Sequence, residues 1–87
     1  MPNHKSAEKR LRQSEKRRVH NQSRKAAVRT AIKKVRRAIE EGNLDEARNL
    51  FRNAQRMIGK AVAKGLYHKQ NGARKISRLA RALNNAG

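Results

Sequence analysis

The chain has no cysteine and no tryptophan, and only one phenylalanine, one tyrosine and one proline among 87 residues. Without cysteine there is neither a disulfide framework nor a thiolate metal site to stand in for a hydrophobic core. No run of residues is long and apolar enough for a transmembrane helix, and the lysine-rich opening is not followed by the apolar segment of a secretion signal. The expectation is a soluble, cytoplasmic protein that does not bind membranes. Acidic residues are scarce as well: 6 Asp and Glu face 24 Lys and Arg, a formal net charge of +18. Such a surplus opposes compaction by self-repulsion, and a polyanionic partner removes that repulsion on binding.

The residues that carry catalysis are equally thin. His4, His20 and His68 are far apart, with no carboxylate or thiol at ligand spacing, so no metal site is expected. Ser6-Ala-Glu-Lys9 matches the S-x-x-K pattern, which has meaning only inside a preorganised cleft that a small helical domain does not provide. The five glycines lie singly, and neither a dinucleotide fingerprint nor a phosphate loop can be laid over them. The reading is of a protein that is not an enzyme, with no cofactor and no small-molecule substrate.

What the sequence does contain is helical periodicity. A chain of this length buries only about 60–65% of its unfolded surface, which means one domain, residues 1–87, with a modest core. The first segment runs from about 6 to 41, with Ser6 as its expected N-cap and Gly42 as its stop. In its second half Val28, Ala31, Ile32, Val35, Ala38 and Ile39 recur at spacings of three and four, whereas its first half offers only Ala7, Leu11 and Val19. The second segment, about 44–64, opens on Asn43 and Glu46 spaced as a capping box. Leu44, Ala47, Leu50, Phe51, Ala54, Ile58, Ala61 and Val62 form its apolar face, with Met57 beside them. Gly65 is expected in the left-handed conformation, with Leu66 folding back on the last turn. Gly59 sits mid-helix, either because another helix passes close by or because the position tolerates it. The third segment, about 69–84, presents Ala73, Ile76, Leu79, Ala80 and Leu83. Together these predict an all-α fold: a three-helix antiparallel bundle with a long, basic, protruding N-terminal helix whose first part, residues 1–25, has no core to lie on.

Charge concentrates where the core is missing. Residues 1–39 carry a net +12 and residues 40–87 a net +6. Lys9-Arg10, Arg12, Lys16-Arg17-Arg18, Arg24-Lys25, Lys33-Lys34 and Arg36-Arg37 place cations on every side of the first helix. A membrane-surface helix would instead segregate them from an apolar face. Readers of flexible single strands stack bases on aromatic rings, and here only Phe51, expected in the core, and Tyr67 are available. Tyr67 is either a base or ribose contact or a partly buried cap over the bundle end. The composition therefore points to folded, double-helical or compact nucleic acid held by its phosphates. A basic zipper is excluded, because the apolar register from Val28 to Ile39 is too short for a coiled-coil dimer. An architectural double-stranded DNA-binding protein remains the alternative to an RNA binder.

Three ordered blocks narrow the choice: Met1-Pro-Asn-His-Lys-Ser-Ala-Glu-Lys-Arg10, Asn21-Gln-Ser-Arg-Lys-Ala-Ala-Val-Arg-Thr-Ala-Ile-Lys-Lys34, and Ala63-Lys-Gly-Leu-Tyr-His-Lys69 followed by Ala73-Arg-Lys-Ile-Ser-Arg-Leu79. With these blocks the chain resembles, over essentially its full length, the S20 family of bacterial small-subunit ribosomal proteins. The resemblance implies a structural constituent of the 30S subunit that binds 16S ribosomal RNA directly, stabilises the packing of RNA helices during assembly, and sits as a monomer within the ribonucleoprotein. By the same resemblance the RNA-contacting positions are Lys5, Ser6, Lys9, Arg10, Arg17, Asn21, Arg24, Arg29, Thr30, Lys33 and Lys34 in the first helix. His68, Lys69, Arg74, Lys75, Ser77 and Arg78 are their counterparts in the third. The charge pattern adds Arg12, Lys16, Arg18 and Lys25. Asn71 and Ile76 stand where the family commonly has cations, which implies fewer phosphate contacts from the third helix.

Overall fold

In a computed structural model the backbone of residues 3–86 and the side chains of residues 6–86 are described. Three helices account for nearly all of it: α1 (Asn3–Glu40), α2 (Leu44–Ala63) and α3 (Lys69–Ala86). Successive helices run antiparallel, α1 and α2 sharing the largest interface and α3 leaning mainly on α2. Both connections are glycine stops with the same hydrogen bonding. Gly42 has φ +76° and Gly65 φ +77°. The Gly42 and Asn43 N–H groups donate back to the carbonyls of Ile39 and Ala38, and those of Gly65 and Leu66 to Val62 and Ala61. This double reversal satisfies carbonyls that the helix end would otherwise leave bare, and only glycine takes the left-handed position without a Cβ penalty.

The expected helix starts need correction. Ser6 is not an N-cap, because the helix is already running at Asn3. Asn43 occupies the N-cap position of α2 but makes no side-chain bond to the backbone there. Its Nδ2 donates instead to Oε2 of Glu46, 2.7 Å away. The two residues foreseen as a capping box thus bond each other, and the negative charge near the start of α2 comes from Asp45 and Glu46.

The core explains both the pairing and its modest size. Ala31 and Ala38 on α1, and Ala47, Ala54 and Ala61 on α2, are all buried. Seven-residue spacing keeps each set on one stripe, and small side chains there permit the axes to approach toward the near end of the roughly 8–10 Å range. Val35, Ala31, Ala54 and Leu79 form one buried cluster with Ile32, Ile39, Leu50, Phe51 and Met57 packed around it. Val28, Ile58 and Ala61 form a second, covered by Val62, Leu66, Tyr67 and Ile76. On α3 the expected core residue Ala73 is exposed, and the buried place belongs to Gly72. A Cβ at Gly72 would collide with Cγ2 of Val62, so this glycine is what lets α3 settle on α2.

The bundle occupies only the C-terminal part of α1. From Ser6 to Arg24 every residue is exposed, and Leu11 and Val19 retain 70% and 56% of their accessible surface. At 1.5 Å per residue that arm is roughly 28 Å of unsupported helix. The molecule measures 65 × 22 × 14 Å with a radius of gyration of 17.6 Å, against about 12 Å for a compact domain of this length.

Candidate nucleic-acid interface

The arm presents cations in two registers. Arg10, Arg17 and Arg24 are seven residues apart and, with Asn21, continue the stripe that becomes Val28, Ala31, Val35 and Ala38 inside the bundle. The face that α2 and α3 cover lower down is therefore polar and cationic above them. Arg12, Lys16 and Arg18 occupy the remaining sides. Among the described residues only three ion pairs form, each between residues three or four apart in sequence: Arg18 with Glu15 at 2.9 Å, Arg37 with Glu41 at 3.4 Å and Arg48 with Asp45 at 3.3 Å. All are exposed and contribute little to stability. They leave most of the positive surface uncompensated.

Where the arm meets the bundle, Tyr67 gathers two cations from different helices. Its half-buried ring packs on the Val28–Ile58–Ala61 cluster. The Nζ atoms of Lys25 and Lys75 approach the ring centroid at 5.7 and 5.0 Å. The negative face of the ring attracts both ammonium groups, and the two lysines are the half-buried members of the candidate set. Tyr67 is thus a cap over the bundle end that also fixes the lysines beside it. In the same turn the Gln70 N–H donates to Nδ1 of His68 at 3.2 Å and the Gly72 N–H donates to the His68 carbonyl. His68 thereby starts α3, and Nε2 is the ring atom left for an outside partner.

The family described as Ribosomal protein S20 matches residues 2–84. A small ribosomal subunit protein bS20 from Desulforapulum autotrophicum is 51% identical over 83 residues, covering 95% of this chain and 99% of the relative. The bS20 proteins of Geobacillus kaustophilus and Rhodopirellula baltica are 50% and 45% identical over 84 and 86 residues, covering 97% and 99% of this chain and 94% and 96% of the relatives. The chain belongs to the ribosomal protein S20 family. That is a family of structural ribosomal proteins, not of enzymes.

Of the positions that the S20 resemblance singled out, Ser6, Lys9, Arg10, Arg17, Asn21, Arg24, Arg29, Lys33 and Lys34 are exposed along α1, and Lys69, Arg74, Ser77 and Arg78 along α3. Lys5 lies in α1, but its side chain is outside the described residues. The Thr30 hydroxyl donates to the Ala26 carbonyl at 3.0 Å, which leaves its oxygen as an acceptor only. Ile76 is half-buried against the second core cluster, so its side chain serves packing. Sequence reasoning missed one cationic row altogether. Arg48, Arg52, Arg56 and Lys60 along α2 and Lys64 at its C-cap recur every fourth residue and are all exposed. The spacing was visible in the sequence and forms one ridge on a helix.

Proposed function

We propose that the chain binds 16S ribosomal RNA directly and acts as a cationic scaffold that holds separate RNA helices in place during assembly of the 30S subunit, as a cytoplasmic monomer within the ribonucleoprotein. One observation carries this reading: the arm from Ser6 to Arg24 is exposed on all sides and cationic on all sides, which suits a rod surrounded by phosphates. Family membership and the relatives named as small ribosomal subunit proteins support it. In mechanism, Lys and Arg side chains displace condensed counterions as they reach phosphates. Arginine forks add directional bidentate bonds. The bundle sets the distance between RNA helices held by the arm and those held by α3. Specificity then follows from RNA shape, since the A-form major groove is too deep and narrow for side chains to read.

The test is a competition at physiological salt between folded 16S ribosomal RNA and duplex DNA of equal length. The RNA is expected to win by at least about tenfold, with RNA affinity falling roughly 10³–10⁵-fold between 50 and 200 mM salt if six to ten phosphates are held. Equal affinity for the two would favour the architectural DNA-binding reading, to which the family lends no support. A titration insensitive to salt would remove the electrostatic mechanism.

A further inference from the structure

At the foot of the arm, α1, α2 and the turn after α2 leave a cleft of about 150 Å³ with no α3 residue in its lining. Its walls are apolar: Ala27 from α1, Met57 from α2 and Leu66 from the second glycine turn, over the buried Val28 and Ala61. Its rim carries Arg24 from the last turn of the arm and Lys60 and Lys64 from the end of the α2 ridge. No carboxylate lines it. An apolar space of about this volume admits a ring the size of benzene, and the three cations call for an anion attached to whatever enters. A nucleotide joins such an anion to a flat ring whose faces, though not its polar edges, suit apolar walls.

We infer that this cleft is a subsite for one extruded nucleotide of the bound RNA, the base between Ala27, Met57 and Leu66 and its flanking phosphates on Arg24, Lys60 and Lys64. The inference rests on the RNA-binding reading and extends it to α2, which neither the charge pattern nor the family resemblance had brought in. No aromatic ring lines the cleft, so the base is held by apolar contact with aliphatic groups and a thioether, not by stacking. That suits a single unstacked base in a folded RNA and not a run of unpaired ones. Continuity favours RNA over an acidic protein partner, because Arg24 belongs at once to the rim and to the cationic stripe of the arm.

Two variants of the full-length chain separate the base from the phosphates, with binding to transcribed 16S ribosomal RNA measured across a salt series. Ala27→Leu fills the cleft at an exposed helical position and removes no charge. It is expected to weaken binding at least about tenfold with the salt slope unchanged. The double variant Lys60→Gln, Lys64→Gln leaves the cleft open and is expected to lower the slope by about 1.4, at about 0.7 per phosphate of a single strand. In the unaltered chain, oxidation of the Met57 thioether by peroxide is expected to slow at least about tenfold when RNA binds, a reading independent of any variant's folding. Wild-type affinity for Ala27→Leu together with unchanged Met57 oxidation overturns the subsite and would leave the cleft to a partner of other chemistry. An unchanged salt slope in the double variant overturns the phosphate assignment. Failure of the unaltered chain to bind RNA overturns the RNA-binding reading first, and the subsite with it.

Discussion

Two glycines of one bundle, alike in the sequence, have opposite roles. Gly59 has no atom within 4 Å of where a Cβ would stand and lies on the exposed side of α2, so of the two reasons offered for it the close-packing one fails. Gly59→Ala is expected to stabilise the free protein by about 1 kcal/mol through helix propensity, a rise of about 4–8 °C in melting temperature for a domain of this size. Gly72→Ala brings a Cβ onto Cγ2 of Val62, a branched side chain with little freedom to yield. There the gain in propensity is outweighed by overpacking, and a net loss of about 1–2 kcal/mol is expected. Thermal melts of both variants, followed by circular dichroism, should move in opposite directions; a shift of the same sign in both would show the α2–α3 contact to be wrongly placed. The sequence could not separate the two glycines, because periodicity says which face a residue occupies and not how near the neighbouring backbone comes. The same gap put Ala73 in the core in place of Gly72. The helix starts differ from expectation for a related reason: Ser6 and the Asn43–Glu46 pair have cap-forming chemistry, but whether that chemistry is used depends on local backbone geometry that residue types alone do not fix. The Gly42 and Gly65 stops were legible because a left-handed residue leaves few choices of side chain.

α1 is one element with two environments, and the boundary between them was legible. The run Val28–Ile39 announces a buried face, and its absence before Arg24 announces an arm; the structure has both. What the pattern did not convey is how the α1–α2 seam is built. Its alanines, five buried positions in two stripes of seven-residue spacing, are in the sequence only members of the apolar faces and act in the structure as a close-approach surface. Ala54→Leu tests that directly. Ala54 is fully buried between α1 and α3 residues, and extra methyl groups there should cost about 1–3 kcal/mol, a large share of the roughly 3–5 kcal/mol that so small a core supplies. Leu79→Ala should cost about 2–5 kcal/mol by leaving a cavity. Urea unfolding of the two free variants is expected to show much of the population unfolded, with RNA partly restoring the fold by mass action. An Ala54→Leu variant as stable as the parent would mean that the helices are held apart by their larger side chains and that the alanines are incidental. The row Arg48–Arg52–Arg56–Lys60–Lys64 belongs to the same lesson. It was readable as a ridge once α2 was placed, but its consequence, a cation pair beside an apolar cleft, needed Arg24, Ala27 and Leu66 from other parts of the chain.

Taken whole, the molecule is a small bundle that carries a helix longer than the bundle can support. Its formal charge of +18 and its exposed arm oppose compaction, and like charges at three- and four-residue spacing work against the arm's own helix. Residues 6–24 are all exposed and none is buried in the core, so opening them locally costs little in the free chain. Phosphates change that balance: they neutralise the repelling charges, and charge-assisted hydrogen bonds fix the side chains. On the proposed function, RNA takes the place of the core the arm lacks. Amide hydrogen exchange of the full chain, alone and bound to 16S ribosomal RNA, tests it most directly. Fast exchange from Ser6 to Arg24 in the free protein, strong protection of the same amides in the complex, and little change from Leu50 to Ile58 is the predicted result. An arm already fully protected without RNA, or one that stays unprotected in the complex, would contradict the claim.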